Sequence, residues 1–257
     1  MGELISTTLW NAVRKNQESV PIINDLFYNN NSFLVCESDE FRTRFILQMM
    51  FDVVNLNCNS FLNQFVIGKR DSRYSVLYVN TENSIKDIKS ILRDVSYGMD
   101  NNLVIGLLNE IHFINCYGSF NYHSNINDFK NLLQGVIENE NIGLIVIDSY
   151  TGLNRRNESE VSVNEAMDNL SEITFIAQQY GIPIILTNKI KANNPDLEDA
   201  LRGSIAFTNW FNNIIWLKKT GNDSCSLKKI KSGNEFLTDN SEFGIKFDGK
   251  RFHATGC

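Results

Sequence analysis

Six short apolar runs recur along the chain without alternating apolar and polar positions. They lie at residues 32–36, 75–80, 111–115, 144–148, 183–187 and 214–218. Val, Ile, Leu and aromatic residues dominate these runs, a composition typical of strands buried on both faces of a parallel sheet. The pattern therefore predicts a strand at each of these places.

Helical periodicity separates the runs. The clearest helix is predicted over 160–180, where apolar residues recur every three or four positions before Gly181 and Pro183 supply a stop. Two more are predicted over 83–95 and 127–137, and another begins near Phe45. Alternating strands and helices predict right-handed crossovers and a doubly wound α/β sheet flanked by helices. Ligand chemistry then belongs at the carboxyl ends of the strands.

The pattern changes after residue 218, because the stretches 224–233 and 243–254 show no helical period. Asp248-Gly249 is flanked by extended runs and is a strong hairpin signal. We predict a lead-in over 1–24, an α/β core over 25–218 and an antiparallel β annex over 219–257 at the sheet edge. All three would form one compact domain.

The composition narrows the setting of the protein. A chain of 257 residues, 42% of them hydrophobic, can bury a core, and a net charge of -6 gives no overall attraction for polyanions. The cysteines are five, an odd number with no C-x-x-C, and no N-terminal signal sequence is visible. We therefore expect a reducing intracellular location, in the cytoplasm or at the nucleoid, or in the nucleus of a eukaryote. Dispersed histidines predict no metal site, and no apolar run predicts a membrane partner.

Residues 33–45, FLVCESDEFRTRF, have the strand, loop and helix frame of a phosphate-binding loop, G-x-x-x-x-G-K-[ST]. Only Thr43 matches a specified position. Cys36 and Phe41 stand where the glycines belong, and Arg42 replaces the lysine. Glycines allow the backbone to adopt unusual angles and to approach a phosphate closely, so their loss removes the basis of the cradle.

The same loop carries three carboxylates, at Glu37, Asp39 and Glu40. They would repel a nucleotide and can themselves satisfy the positive end of the following helix. The sequence therefore predicts no bound cofactor. If ATP and Mg²⁺ do bind, Arg42 and Thr43 would contact the nucleotide, and Thr43 would also contact the metal.

Polar residues follow three of the predicted strands. Asp148 ends an apolar strand, the position of an aspartate that holds the Mg²⁺ of a nucleotide. Glu82 follows another strand at a distance suited to polarising a water, and Thr187 and Asn188 end the next. Simpler interpretations stay open, since such residues also cap helices, charge helix N-termini and form turns.

Taken in order, these segments resemble a RecA-type ATPase core with a degenerate Walker A loop. The resemblance is carried by 20–35, 76–82, 144–149, 183–189, 201–219 and 226–233, and is greatest to plasmid RepA-type and DnaB-type replicative helicases. It implies a RecA-like fold, with Glu82 as catalytic glutamate, Asp148 as magnesium-associated aspartate and Asn188 at the sensor position. Lys229 and Lys231, predicted to share one face of an extended segment, resemble the basic pair that reaches a neighbouring subunit's nucleotide. A solvated sheet edge is the simpler interpretation of that pair.

The resemblance also implies that DNA contacts the loops 149–160 and 188–203. Arg155 and Arg156 lie in the first loop, and Lys189, Lys191 and Arg202 in the second. These side chains could neutralise phosphates without recognising a base sequence. Acidic neighbours leave open that both loops are merely solvated. Single-stranded DNA and a RecA-type subunit, identical or paralogous, are the expected partners.

Three functions remain open from the sequence. The leading hypothesis is a non-catalytic or weakly catalytic partner in DNA replication, recombination or repair. The second is an active ATPase of helicase or recombinase type, which Glu82, Asp148 and Thr43 support. The third is an interaction scaffold with no nucleic-acid role.

Overall fold

Strands and helices alternate along most of the chain in the computed structural model, which describes residues 21–28, 31–68, 75–117, 122–153, 163–190, 210–232, 235–236 and 242–255. The helices are α1 (Asp39–Val54), α2 (Ile85–Val95), α3 (Asn101–Asn109), α4 (Tyr122–Asn139), α5 (Tyr150–Leu153) and α6 (Val163–Tyr180). The strands are β1 (Ser32–Cys36), β2 (Ser60–Phe61), β3 (Phe65–Val66), β4 (Ser75–Asn80), β5 (Ile111–Asn115), β6 (Ile142–Asp148), β7 (Ile184–Lys189), β8 (Asn213–Lys219), β9 (Ser224–Ser232), β10 (Glu235–Phe236), β11 (Glu242–Phe247) and β12 (Phe252–Ala254).

The main sheet has the strand order β12-β11-β9-β8-β1-β7-β6-β4-β5. From β8 to β5 every neighbouring pair is parallel, whereas β8, β9, β11 and β12 pair antiparallel. The chain runs from β1 outward to β4 and β5, and then returns through β6 and β7 to β8. Crossovers from β1 and from its neighbour β7 therefore lead in opposite directions, which opens a crevice at their carboxyl ends.

Strand side chains alternate between two apolar layers, one on each face of the sheet. One layer includes Phe45, Ile88 and Leu107, from α1, α2 and α3. The other includes Phe129 from α4 and Ile173 from α6. Burial on both faces explains why the strand sequences are apolar at consecutive positions.

The predicted α/β architecture is confirmed as a large, mainly parallel sheet with antiparallel strands at its C-terminal end. The predicted strands correspond to β1, β4, β5, β6, β7 and β8, and the predicted helices to α2, α4 and α6 within a few residues. Helix α1 begins earlier than the predicted start at Phe45, because the Ser38 side chain caps it by accepting from the backbone N–H of Phe41 at 3.3 Å. Helix α3 and the short β2–β3 hairpin were not predicted.

The antiparallel annex continues the main sheet beyond β8 and packs on α1. Its β11–β12 hairpin turns at Asp248-Gly249, where Gly249 has a φ of 93°. Gln48 of α1 donates to the carbonyl of Phe252 at 2.9 Å and accepts from its N–H at 2.7 Å. Phe45 meets the Phe252 ring edge-on, with centroids 6.0 Å apart. None of the helices in the described ranges is both long and apolar enough to cross a membrane.

Candidate functional site

Arg42 lies at the carboxyl edge of the sheet with three carboxylates around its guanidinium. Its Nε donates to Asp148 Oδ1 at 2.7 Å, its Nη1 donates to Asp39 Oδ1 at 2.8 Å, and its Nη2 donates to Glu82. The Arg42 and Asp148 side chains are fully buried, whereas that of Glu82 is 24% exposed and that of Asp39 is 45% exposed. Each guanidinium nitrogen is therefore paired with a different carboxylate. We call these four residues the Arg42 cluster.

Asp148, at the end of β6, accepts four hydrogen bonds from the protein. Its Oδ1 accepts hydrogen bonds from Arg42 Nε and, at 2.8 Å, from the hydroxyl of Thr187. Its Oδ2 accepts hydrogen bonds from the hydroxyls of Thr43 at 2.7 Å and Tyr78 at 3.2 Å. Charged and neutral donors thus satisfy both oxygens, as a buried carboxylate requires.

The start of α1 places Arg42 and Thr43 in this position. Only Glu37 and Ser38 connect β1 to α1, and the backbone N–H of Arg42 already donates to the Ser38 carbonyl at 3.0 Å. The loop positions expected at 39–41 are therefore helical. Phe41 turns away from the cluster and packs against the annex, 7% exposed.

Glu82 is positioned by close packing against the short helix α5. A Cβ at Gly152 would overlap the Thr81 side chain and would lie 2.7 Å from Glu82 Cγ, so only glycine permits this approach. Thr81 Oγ1 donates to the Ser149 carbonyl at 2.8 Å and accepts from the Ser149 N–H at 2.7 Å. The peptide bond between Asp148 and Ser149 is cis. These contacts join the end of β4 to the end of β6.

The charges of the cluster reinforce one another. Burial opposes the charge of Arg42, but the attraction of Asp148 and Glu82 outweighs it and raises the pKa of Arg42 above its ordinary range. Burial and the neighbouring Asp148 also raise the pKa of Tyr78, so its hydroxyl stays protonated and can donate. Lys189 adds a second cation by pairing with Asp39 at 2.5 Å. Two cations therefore face three carboxylates, an unfavourable field for a phosphate.

The structure brings together Arg42, Thr43, Glu82 and Asp148 from the predicted nucleotide site. Asn188 lies at the same sheet edge, 7% exposed, with its Oδ1 accepting from the Thr151 hydroxyl. In the described part of the chain, its side chain forms no hydrogen bond with the Arg42 cluster. Of the predicted DNA-binding residues, Lys189 is engaged by Asp39, and Arg155, Arg156, Lys191 and Arg202 lie outside the described residues.

Lys229 and Lys231 do not share a face, so that prediction is wrong. The register between β8 and β9 shifts at this point, leaving Lys229 opposite Ile215 and Lys231 opposite Ile214. Ile214 and Ile215 point into opposite layers of the core, so their partners do too. Lys229 donates to the Tyr28 hydroxyl at 3.0 Å, and Lys231 is 6% exposed.

In this arrangement the residues predicted to bind ATP and Mg²⁺ bind one another. Thr43 and Asp148, the predicted metal ligands, are hydrogen-bonded to each other, and Arg42 occupies the other oxygen of Asp148. Within the described ranges, no three His, Cys, Asp or Glu side chains are arranged to hold a metal ion.

Sequence reasoning missed two contacts in this site. Tyr78 was interpreted only as part of a strand, although a tyrosine in a fully buried run requires a hydrogen-bond partner and so pointed to one. Asn83 donates to Thr43 Oγ1 at 3.1 Å, which fixes the hydroxyl for its bond to Asp148. No local pattern marks that contact, since the two residues lie on different elements.

Comparison with protein families and curated proteins identified no relative, so the proposed function rests on the geometry of the site. No protein-family model matches the sequence, and no curated protein matches it.

Proposed function

We propose that this chain is a RecA-fold protein whose nucleotide site no longer works, and that it acts as a non-catalytic partner in DNA replication, recombination or repair. The main support for this proposal is the buried Arg42. Its guanidinium engages Asp148 and Glu82, the two carboxylates that would serve the metal ion and the attacking water in an ATPase. An internal cation thus takes the place that a metal ion would need.

The energetic barrier to nucleotide binding follows from this geometry. For Mg²⁺-ATP to enter, Arg42 must leave Asp148, and breaking a buried pair of this kind costs about 3–5 kcal/mol. At about 1.4 kcal/mol for each tenfold change, that cost weakens binding by a factor of about 100 to 4,000.

Equilibrium titration with Mg²⁺-ATP tests the proposal. The wild-type protein should show no saturable binding, and Asp148→Asn should behave in the same way. Tight binding by the wild type that Asp148→Asn abolishes would overturn the proposal. Circular dichroism of both proteins establishes that any difference in binding does not reflect loss of the fold.

An active ATPase of helicase or recombinase type is the second candidate, and one observation favours it. Thr43, Glu82 and Asp148 lie in one hydrogen-bonded group at the carboxyl ends of β4 and β6, where a nucleotide site would need them. Steady-state ATP hydrolysis that depends on Glu82, measured with Glu82→Gln, would favour this candidate.

The DNA role is tested separately by titrating single-stranded DNA over a series of salt concentrations. Binding that weakens steadily as salt rises supports contact with phosphates. The absence of binding even at low salt would remove the DNA role and leave an interaction scaffold.

A further inference from the structure

One face of the antiparallel annex carries a row of lysines. Cross-strand partners in a sheet share a face, and on this face Trp216 lies opposite Lys228, Lys218 opposite Ser226, and Lys246 opposite Ser224. The opposite face contains the apolar partners that pack towards α1. We call the first surface the lysine face, with members Trp216, Lys218, Ser224, Ser226, Lys228, Glu242, Gly244 and Lys246.

The lysines of this face have no carboxylate partner. Among the described residues, no ion pair or hydrogen bond involves the ammonium groups of Lys218, Lys228 or Lys246. Lys218 Nζ instead lies 5.0 Å from the centre of the Trp216 ring. Lys130 and Lys189, by contrast, are each paired with a carboxylate. The lysine face therefore holds three ammonium groups that form no ion pair with a described residue, together with one carboxylate, that of Glu242, on the strand position opposite Lys228.

Two buried polar atoms on the same face are also unsatisfied within the described ranges. Trp216 Nε1 and Ser226 Oγ find no hydrogen-bond partner among the described residues, and both residues are 3% exposed. A buried polar group left unsatisfied costs about 1–3 kcal/mol, so such groups are uncommon in folded proteins. Both atoms can donate to an oxygen. The three lysines and these two donors all suit an anionic ligand rich in oxygen.

We propose that the lysine face binds the phosphate backbone of single-stranded nucleic acid. The ammonium groups contact successive phosphates, and a movement of the surrounding side chains exposes Trp216 Nε1 and Ser226 Oγ, which then donate to phosphate oxygens. Diagonal neighbours on adjacent strands lie about 7–8 Å apart, so Lys218 and Lys228 can contact separate phosphates of one strand. This inference rests on the DNA role proposed above and assigns that role to the annex.

The choice of a single strand follows from the shape of the surface. A flexible single strand can follow the twist of the sheet between the lysines, passing the Thr255 side chain, which lies over Gly244 in the middle of the face. Trp216 is too buried to stack with a base, so binding is independent of base sequence.

A salt series with a fluorescent thymidine oligonucleotide tests the inference. The variant Lys218→Gln/Lys228→Gln/Lys246→Gln removes three phosphate contacts, and each contact contributes about 0.7 to the slope of log K against log salt. We expect the slope to become shallower by about 2 and the affinity at about 0.1 M salt to fall about 100-fold. A duplex of the same length should bind more weakly than the single strand.

A matched control separates local contact from a change in total charge. Lys86→Gln/Lys89→Gln/Arg93→Gln removes the same charge from exposed positions on α2 and should leave the slope nearly unchanged. Glu242→Gln removes the carboxylate opposite Lys228 and should raise the affinity several-fold. Equal loss in both triple variants would overturn the inference but leave a DNA role elsewhere on the chain. Tighter binding of the duplex would overturn the single-strand assignment.

If the wild type binds no DNA, both the inference and the DNA role fail. The proposal of an inactive nucleotide site is then still judged by its own titration.

Discussion

Replacing Arg42 with methionine tests whether the Arg42 cluster holds the sheet edge together. Methionine fills the space flexibly but removes the charge, leaving Asp148 buried with no cation beside it. Loss of one partner of a buried pair costs about 3–5 kcal/mol. Asp39 is almost half exposed and adds at most about 1 kcal/mol. The expected loss is a large share of the total stability, about 5–15 kcal/mol, of a typical domain.

Urea denaturation followed by circular dichroism measures this loss as a change in the free energy of unfolding. The matched control is Arg44→Met on the same helix, because Arg44 pairs with the more exposed Glu40 and Asp94. That change should cost about 0–1 kcal/mol.

A double-mutant cycle then isolates the pair itself. Asp148→Asn removes the buried negative charge, so the double variant Arg42→Met/Asp148→Asn should be more stable than the sum of the single effects by about 1–3 kcal/mol. If Arg42→Met costs no more than Arg44→Met and the cycle shows no coupling, Arg42 does not form a buried ion pair. The assignment of Arg42 as an internal cation at this site would then be refuted.

Two further changes probe other parts of the structure. Gly152→Ala should destabilise the fold by about 1–3 kcal/mol through overpacking against Glu82. Gly106→Ala, at an exposed helical position with open space around it, should instead stabilise the fold by about 0.5–1 kcal/mol. Equal effects of the two substitutions in thermal unfolding would contradict this. Burial raises the pKa of Asp52 although Arg251, 2.6 Å away, opposes the shift. The contribution of Asp52 is therefore greatest at low pH and is lost as pH rises through its folded-state pKa. The wild type should lose stability relative to Asp52→Asn as pH rises above the ordinary aspartate pKa of 3.8 towards the raised pKa of the folded state, and a pH-independent difference in urea denaturation would exclude this assignment.

Much of the fold was predictable, because buried parallel strands have a distinctive composition. The runs that became β1, β4 and β5 were predicted with their observed bounds. β1 and β4 are buried along their whole length, as their composition indicated, whereas β5 lies at the sheet edge and only its Ile114 is buried. Helix α3 was missed because its apolar residues are partly exposed and show a weaker period. The shift in register between β8 and β9 was also unpredictable, since a bulge depends on pairing between strands.

The members of the candidate site were predictable, but their arrangement was not. Strand-end positions identified Glu82 and Asp148, and the loop frame identified Arg42 and Thr43. From the sequence, the acidic residues of the loop were expected to repel phosphate and to interact with the helix N-terminus. In the structure, Asp39 is a partner of Arg42 and Lys189, because the helix begins early enough to bring all three together. That relation depends on distances between elements that are far apart in sequence.

The short connection between β1 and α1 means that a phosphate-binding loop could form here only at the expense of the first turn of the helix. Only Glu37 and Ser38 lie between the strand and the helix, and residues 39–41, which the phosphate-loop frame assigns to the loop, are helical. The eight residues from 36 to 43 match the length of the frame, but their backbone forms a helix start that Ser38 caps. A cradle for phosphates would therefore require glycines that unwind this turn as well as a lysine in place of Arg42.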